Sequence, residues 1–212
     1  MAFLHYTSTM KMLAQLFAVV FASVLISACS KSPKVPPLAN NDVVLAFGDS
    51  LTFGTGAAPA ESYPAQLQTL IGRKVVNAGV PGEISADGLQ RLPEVLEEVQ
   101  PKLLILCHGG NDFLRKLNEA SAAANVRAMI RIAKNKGISV VLIATPKPGL
   151  SLTPPDFYAD IAKEFSLPYN DDALKTTLRD NGLKSDLVHP NAKGYAQIAQ
   201  SVAALLKKAG AI

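Results

Sequence analysis

The sequence contains no tryptophan, only two cysteines (Cys29 and Cys107), and 6% aromatic residues. One of the cysteines sits at the end of an N-terminal apolar stretch, so a disulfide framework is excluded for the folded part. Two cysteines and three histidines at scattered spacing form no recognisable zinc site. No residue pattern calls for a metal or any other cofactor. There is no His-Glu-x-x-His, no Walker loop and no Gly-x-Ser-x-Gly elbow, and the last absence argues against an α/β-hydrolase fold. Charge is also sparse: 18% of residues are charged, and a net +4 is spread along the chain without a dense Lys/Arg block. A nucleic-acid partner is therefore not expected. The lysines read as ordinary solvated side chains, with at most a mild attraction to anionic membrane surfaces.

What is present is apolar. Of 212 residues, 49% are hydrophobic, enough for one domain with a sizeable core and too many for a disordered chain. Lys11 is followed by an almost wholly apolar run from Met12 to Ile26 and then by Ser27, Ala28, Cys29 and Ser30. That is the charged flank, apolar centre and small-residue end of a secretory signal over residues 1–29. The run Ile26-Ser27-Ala28-Cys29 resembles the bacterial lipobox, in which the cysteine is lipidated and becomes N-terminal after cleavage. Lipidated Cys29 would tether an exported protein to the periplasmic face of a bacterial membrane without a spanning helix. Two alternatives stay open: a plain signal peptide giving a soluble periplasmic or secreted protein, and an uncleaved anchor, for which the apolar run is somewhat short. Residues 30–41, with three prolines and no apolar periodicity, read as an extended tether, and the domain as residues 42–212.

From Asp42 the chain alternates between short apolar runs and helical stretches. Val43 to Phe47, Lys74 to Asn77, Leu103 to Cys107 and Ser139 to Ala144 are of strand length. Their apolar residues run continuously, the pattern of strands covered on both faces. Helical spacing is found over Tyr63 to Ile71, Ser85 to Val99, Glu119 to Lys136, Asp156 to Phe165 and Ala192 to Lys208. Pro93 predicts a kink or a late start within the second of these. Strand and helix in alternation predict parallel strands joined by helical crossovers in an α/β sandwich, with the site at the carboxyl ends of the strands. No repeat or second domain is visible.

Three short motifs fall at loops of that kind: Gly48-Asp49-Ser50-Leu51, Gly109-Gly110-Asn111-Asp112, and Asp186-Leu187-Val188-His189-Pro190-Asn191. A serine hydroxyl needs a base, and histidine titrates in the right range. A carboxylate must hold that imidazole in the productive tautomer, and Asp186 lies three residues before His189, within reach by a single turn. A serine just past a strand exposes its own backbone N–H to a developing oxyanion, and Asn111 can add a side-chain amide. Each residue has a plainer use, as a helix cap for Ser50, Asn111 or Asn191, but the spaced combination favours chemistry for Ser50, Asn111 and His189. Asn191 reads as the cap of the last helix.

With these motifs the stretch from Asp42 to the C-terminus resembles the GDSL, or SGNH, hydrolase family. The resemblance implies a three-layer α/β/α sandwich on a mainly parallel, flavodoxin-like five-stranded sheet. It assigns catalysis to Ser50, Asp186 and His189 and the oxyanion hole to Ser50, Gly82 and Asn111. Gly82 is chosen because Asn77-Ala78-Gly79-Val80-Pro81-Gly82 looks like the family's second block, with Gly79 as the fallback. Val-Val-Asn at 75–77, Gly-Leu-x-Arg-Leu-Pro at 88–93 and Gly-Gly-Asn-Asp-x-Leu-Arg at 109–115 look like the bacterial periplasmic thioesterase, arylesterase and lysophospholipase branch. Small-molecule acyl esters or thioesters are the implied partners, and a monomer is the expected state.

Phe53, Phe113, Leu114, Leu150 and Leu152 lie near the loops and could form an acyl groove or simply pack the core. His108 stands where the family often has an apolar or small residue; it reads as structural or pocket-lining. Asp49 and Asp112 read as carboxylates that brace loops, and Cys107 as a buried small hydrophobe. Two other functions remain in view: a carbohydrate deacetylase, for which no aromatic platform is evident, and a lipid-tethered binding protein with a vestigial site.

Overall fold

Each apolar run is a strand in the computed structural model, which describes residues 33–149 and 151–212. The targeting segment, Cys29 and Leu150 lie outside the described residues. The strands are β1 (Val43–Gly48), β2 (Lys74–Gly79), β3 (Leu103–Cys107), β4 (Ser139–Ile143) and β5 (Tyr169–Asn170). Only the two-residue β5 had no apolar run to announce it. The sheet order is β2-β1-β3-β4-β5 and every adjacent pair is parallel, the order of a flavodoxin-like sheet.

The helices are α1 (Ser50–Phe53), α2 (Tyr63–Ile71), α3 (Ser85–Val99), α4 (Gly110–Leu114), α5 (Glu119–Asn135), α6 (Phe157–Phe165), α7 (Ala173–Arg179) and α8 (Ala192–Ala209). Helix α3 runs from Ser85 through Pro93 to Val99, so no late start occurs there. The two longest helices, α5 and α8, begin at side-chain caps: Asn118 Oδ1 accepts from Ser121 N at 3.0 Å, and Asn191 Oδ1 from Gly194 N at 3.1 Å.

The continuous apolar runs follow from covering the sheet on both sides. Side chains alternate across a strand. Val44, Ala46, Leu103 and Ile105 pack in one cluster with Tyr63 and Leu67 of α2 and Ile198 and Val202 of α8. Leu45, Phe47, Leu104 and Leu106 pack in the other with Leu92 of α3, Met129 of α5 and Ile161 of α6. Each large side chain so buried contributes roughly 1.5–3 kcal/mol.

Residues 33–41 form no helix or strand, but two of them belong to the core. Val35 and Leu38 are buried. Their backbone N–H groups donate to the carbonyls of Ala209 and Ala211 at 3.2 and 2.8 Å. The packed domain therefore begins ahead of Asp42. Among the described residues no helix is long and apolar enough to cross a membrane.

Candidate active site

Strand order reverses at β1, which has β2 on one side and β3 on the other. Two chain segments diverge above their carboxyl ends, leaving a crevice. Ser50 leaves β1 through Asp49, whose Oδ1 caps α1 by accepting the Leu51 N–H at 3.0 Å. Asn111 leaves β3 through Gly109 and Gly110 and lies in the first turn of α4.

The third contributor comes from the far end of the chain. Residues Lys184 and Pro190 pair as an isolated antiparallel bridge, and Ser185 N–H donates to the His189 carbonyl at 3.0 Å. Between them the loop doubles back, so that Asp186 Oδ1 accepts the backbone N–H groups of Val188 and His189, both at 2.8 Å. Asp186 Oδ2 lies 2.7 Å from His189 Nδ1, and His189 Nε2 lies 3.0 Å from Ser50 Oγ. Nδ1 facing a carboxylate fixes it as the N–H donor and leaves Nε2 to accept the serine hydroxyl. Modest burial works against the Asp186 charge, but the hydrogen bonds from His189 and Val188 outweigh it and lower its pKa below 3.8.

The amide of Asn111 donates to the Glu83 carbonyl at 3.0 Å and to Asp49 Oδ2 at 3.3 Å. Gly82, immediately before Glu83, has φ of +79°, a left-handed conformation that favours glycine. Its carbonyl accepts from Arg115 at 2.7 Å. Neither the Ser50 N–H nor the Gly82 N–H donates to any group among the described residues. The Gly79 N–H, by contrast, is taken by Asn77 Oδ1 at 3.0 Å.

Behind these groups lie buried carboxylates. Burial pushes the Asp49 pKa above 3.8, against the pull of nearby histidines and the Leu51 N–H. Asp112 accepts both the Ser85 N–H and the Ser85 hydroxyl, at 2.8 and 2.7 Å, tying α4 to the start of α3. Both carboxylates brace loops. Cys107 is 1% exposed, and burial pushes its thiol pKa up, away from reactivity.

Beside Ser50 opens a cavity of about 550 Å³ whose wall includes Leu114, Pro146, Leu152, Leu178, Leu187 and Val188. Of the groove residues expected from sequence, Leu114 and Leu152 line it. Phe113 does not, because it is buried against Phe157 and Tyr158. Phe53 is half exposed and outside the cavity wall. Leu178, Leu187 and Val188 were missed. Leu178 belongs to α7, whose seven residues are too few for a helical pattern to stand out, but Leu187 and Val188 lie inside the Asp186–His189 motif and could have been inferred from it. Among the described residues no cluster of His, Cys, Asp and Glu has the make-up of a metal site.

Residues 46–197 match the model of the GDSL-like lipase/acylhydrolase family, well over half of the chain. The chain belongs to that family and is an esterase of it. It is 32% identical over 152 residues to the esterase TesA of Pseudomonas aeruginosa, covering 69% of this chain and 73% of that protein. It is 29% identical over 174 residues to the thioesterase 1/protease 1/lysophospholipase L1 of Escherichia coli K12, covering 78% of this chain and 84% of that protein. The crystal structure of a TesA superposes with a TM-score of 0.71 at 27% identity, covering 78% of this chain and 98% of the other.

Proposed function

We propose that this esterase forms an acyl-enzyme on Ser50, with His189 as general base, Asp186 orienting His189, and Ser50 N–H, Gly82 N–H and the Asn111 amide as oxyanion donors. The observation that carries this is one imidazole within hydrogen-bonding distance of both Ser50 Oγ and Asp186 Oδ2, at 3.0 and 2.7 Å. His189 Nε2 takes the hydroxyl proton as Ser50 Oγ bonds to the acyl carbon. The carbonyl oxygen becomes an oxyanion held by the three donors. Collapse of the tetrahedral adduct breaks the bond to the leaving alcohol or thiol, which takes the proton from His189. Water then repeats the sequence on the acyl-serine, releasing the carboxylic acid and restoring Ser50.

Three features support the oxyanion assignment. The N–H groups of Ser50 and Gly82 have no competing acceptor, while that of the fallback Gly79 does. Asn111 spends one amide hydrogen on Glu83, and the longer bond to Asp49 is the one an oxyanion can draw away.

The substrate class we infer is an acyl ester or thioester of medium chain length, its acyl part lying along the apolar wall of the cavity and its leaving group toward solvent. A cavity of about 550 Å³ with a largely apolar wall has room for an acyl chain. The enzyme is further inferred to be exported and, through the lipobox-like run ending at Cys29, carried as a periplasmic lipoprotein.

A panel of p-nitrophenyl esters of increasing acyl length tests the reading. Turnover is expected to peak at medium chains and to fall at least 10³-fold in Ser50→Ala with the fold intact. A steep preference for acetyl would instead favour the deacetylase, and no turnover at all would favour a binding protein. Palmitate labelling that is lost in Cys29→Ser tests the anchor; an unlabelled wild-type protein would remove it.

A further inference from the structure

His108 takes no part in the chemistry above, yet it is wholly buried directly behind the oxyanion donors. Its Nδ1 accepts the Gly109 N–H at 3.0 Å, and its Nε2 lies 3.0 Å from Glu83 Oε2. Acceptance at Nδ1 makes Nε2 the N–H donor to the carboxylate. Glu83 is also held by Arg91, which reaches Oε1 through Nε and Oε2 through Nη2, both at 2.8 Å. Arg91 in turn stacks over the Phe47 ring of β1, 4.2 Å from its centroid, and donates to the Ala78 carbonyl at 3.1 Å. A side-chain chain thus runs from β1 and β2 through Arg91 and Glu83 to the imidazole and on to the backbone of the loop after β3.

The position of that chain is what gives it a use. Glu83 follows Gly82 directly, and its carbonyl accepts the Asn111 amide. Gly109 precedes Asn111 by two residues. The loop after β2 and the loop after β3 carry separate oxyanion donors, and His108 joins the two. Its surroundings leave it no slack: a Cβ on Gly88 of α3 would overlap the imidazole, and Tyr158 OH donates to the His108 carbonyl at 2.7 Å.

We infer that His108 is a positioning residue for the oxyanion hole, fixing through Glu83 and Gly109 the relative placement of the Gly82 N–H and the Asn111 amide. This rests on the proposed roles of Ser50, Gly82 and Asn111. An oxyanion hole works only if its donors are already aimed when charge develops, so small displacements lower turnover more than ground-state binding. Leucine at 108 fills similar volume but breaks both imidazole bonds. Glutamine can donate to Glu83 and accept from Gly109.

The test is a double-mutant cycle on p-nitrophenyl ester hydrolysis in full-length protein, with active-site titration to count folded enzyme. His108→Leu is expected to lower kcat per titrated site about tenfold with KM within twofold, and His108→Gln to recover most of it. In an Asn111→Ala background the same His108→Leu change is expected to lower kcat less than threefold, since one of the two donors whose relative placement it fixes is gone. Equal effects in both backgrounds, or a loss accounted for by fewer titratable sites, would overturn the inference. Should Ser50→Ala keep wild-type turnover, it is the catalytic assignment that fails; should Asn111→Ala alone do so, the oxyanion assignment fails.

Discussion

Asp186 is more than half exposed, whereas the carboxylate behind a catalytic histidine is useful chiefly for holding a tautomer. Its Oδ1 is already committed to two backbone N–H groups, so the carboxylate is oriented by its own loop and not by burial. Asp186→Asn keeps that backbone brace if its amide oxygen takes the Oδ1 place, but then presents an N–H to Nδ1 and imposes the wrong tautomer. A loss of roughly 10²–10⁴ in kcat is expected, with the fold unchanged by circular dichroism. Asn111→Ala removes one of the proposed oxyanion donors and is expected to cost roughly 10²–10³ in kcat. At this scale the sequence was informative where motif and geometry coincide: Ser50, Asp186 and His189 meet, and Asn191 caps α8. For His108 it gave only a structural or pocket-lining reading, because its partners Glu83 and Gly88 lie in a different stretch of chain and no local pattern connects them. The proposed preference for Gly82 over Gly79 likewise rests on the hydrogen bond from Gly79 to Asn77, which no sequence pattern announces.

Helix α3 and the segment leading into it carry Glu83 and Gly88, which lie against His108, and Arg91, which holds Glu83. Burial alone would raise the pKa of Glu83; the bonds from Arg91 and His108 outweigh it and hold it at about 2, against an ordinary 4.5. A carboxylate with a depressed folded pKa gives stability that is complete above its unfolded pKa and is lost as pH falls through the folded one. Urea melts of wild type should therefore show an acid-sensitive contribution disappearing between pH 4.5 and about 2, and Glu83→Gln should flatten that limb. An unchanged limb in Glu83→Gln would remove this ion pair as its source. Gly88→Ala forces a methyl into the imidazole and is expected to destabilise by about 1–3 kcal/mol, read as a lower urea midpoint at unchanged slope. Element boundaries were legible because the core is two-sided: apolar runs of strand length recur between helical stripes. Strand β5 and helix α7 escaped notice because two and seven residues are too short to carry a period.

The molecule as a whole is tied at both ends of the described chain, since Val35 and Leu38 pack beside Ala209 and Ala211. Composition marked this stretch as a tether; the isolated Val35 and Leu38 gave no periodicity from which packing could be foreseen. Leu38→Ala is expected to lower stability by about 2 kcal/mol without altering kcat, checked by thermal melts alongside ester hydrolysis. The central claim, that Ser50 carries the acyl group, is tested most directly by mass spectrometry of protein inactivated with a fluorophosphonate. One adduct per chain is expected, on the peptide bearing Ser50, with loss of activity in proportion to labelling and no adduct in His189→Ala over the same interval. Inactivation with the adduct on another residue, or full activity with Ser50 modified, would contradict the account.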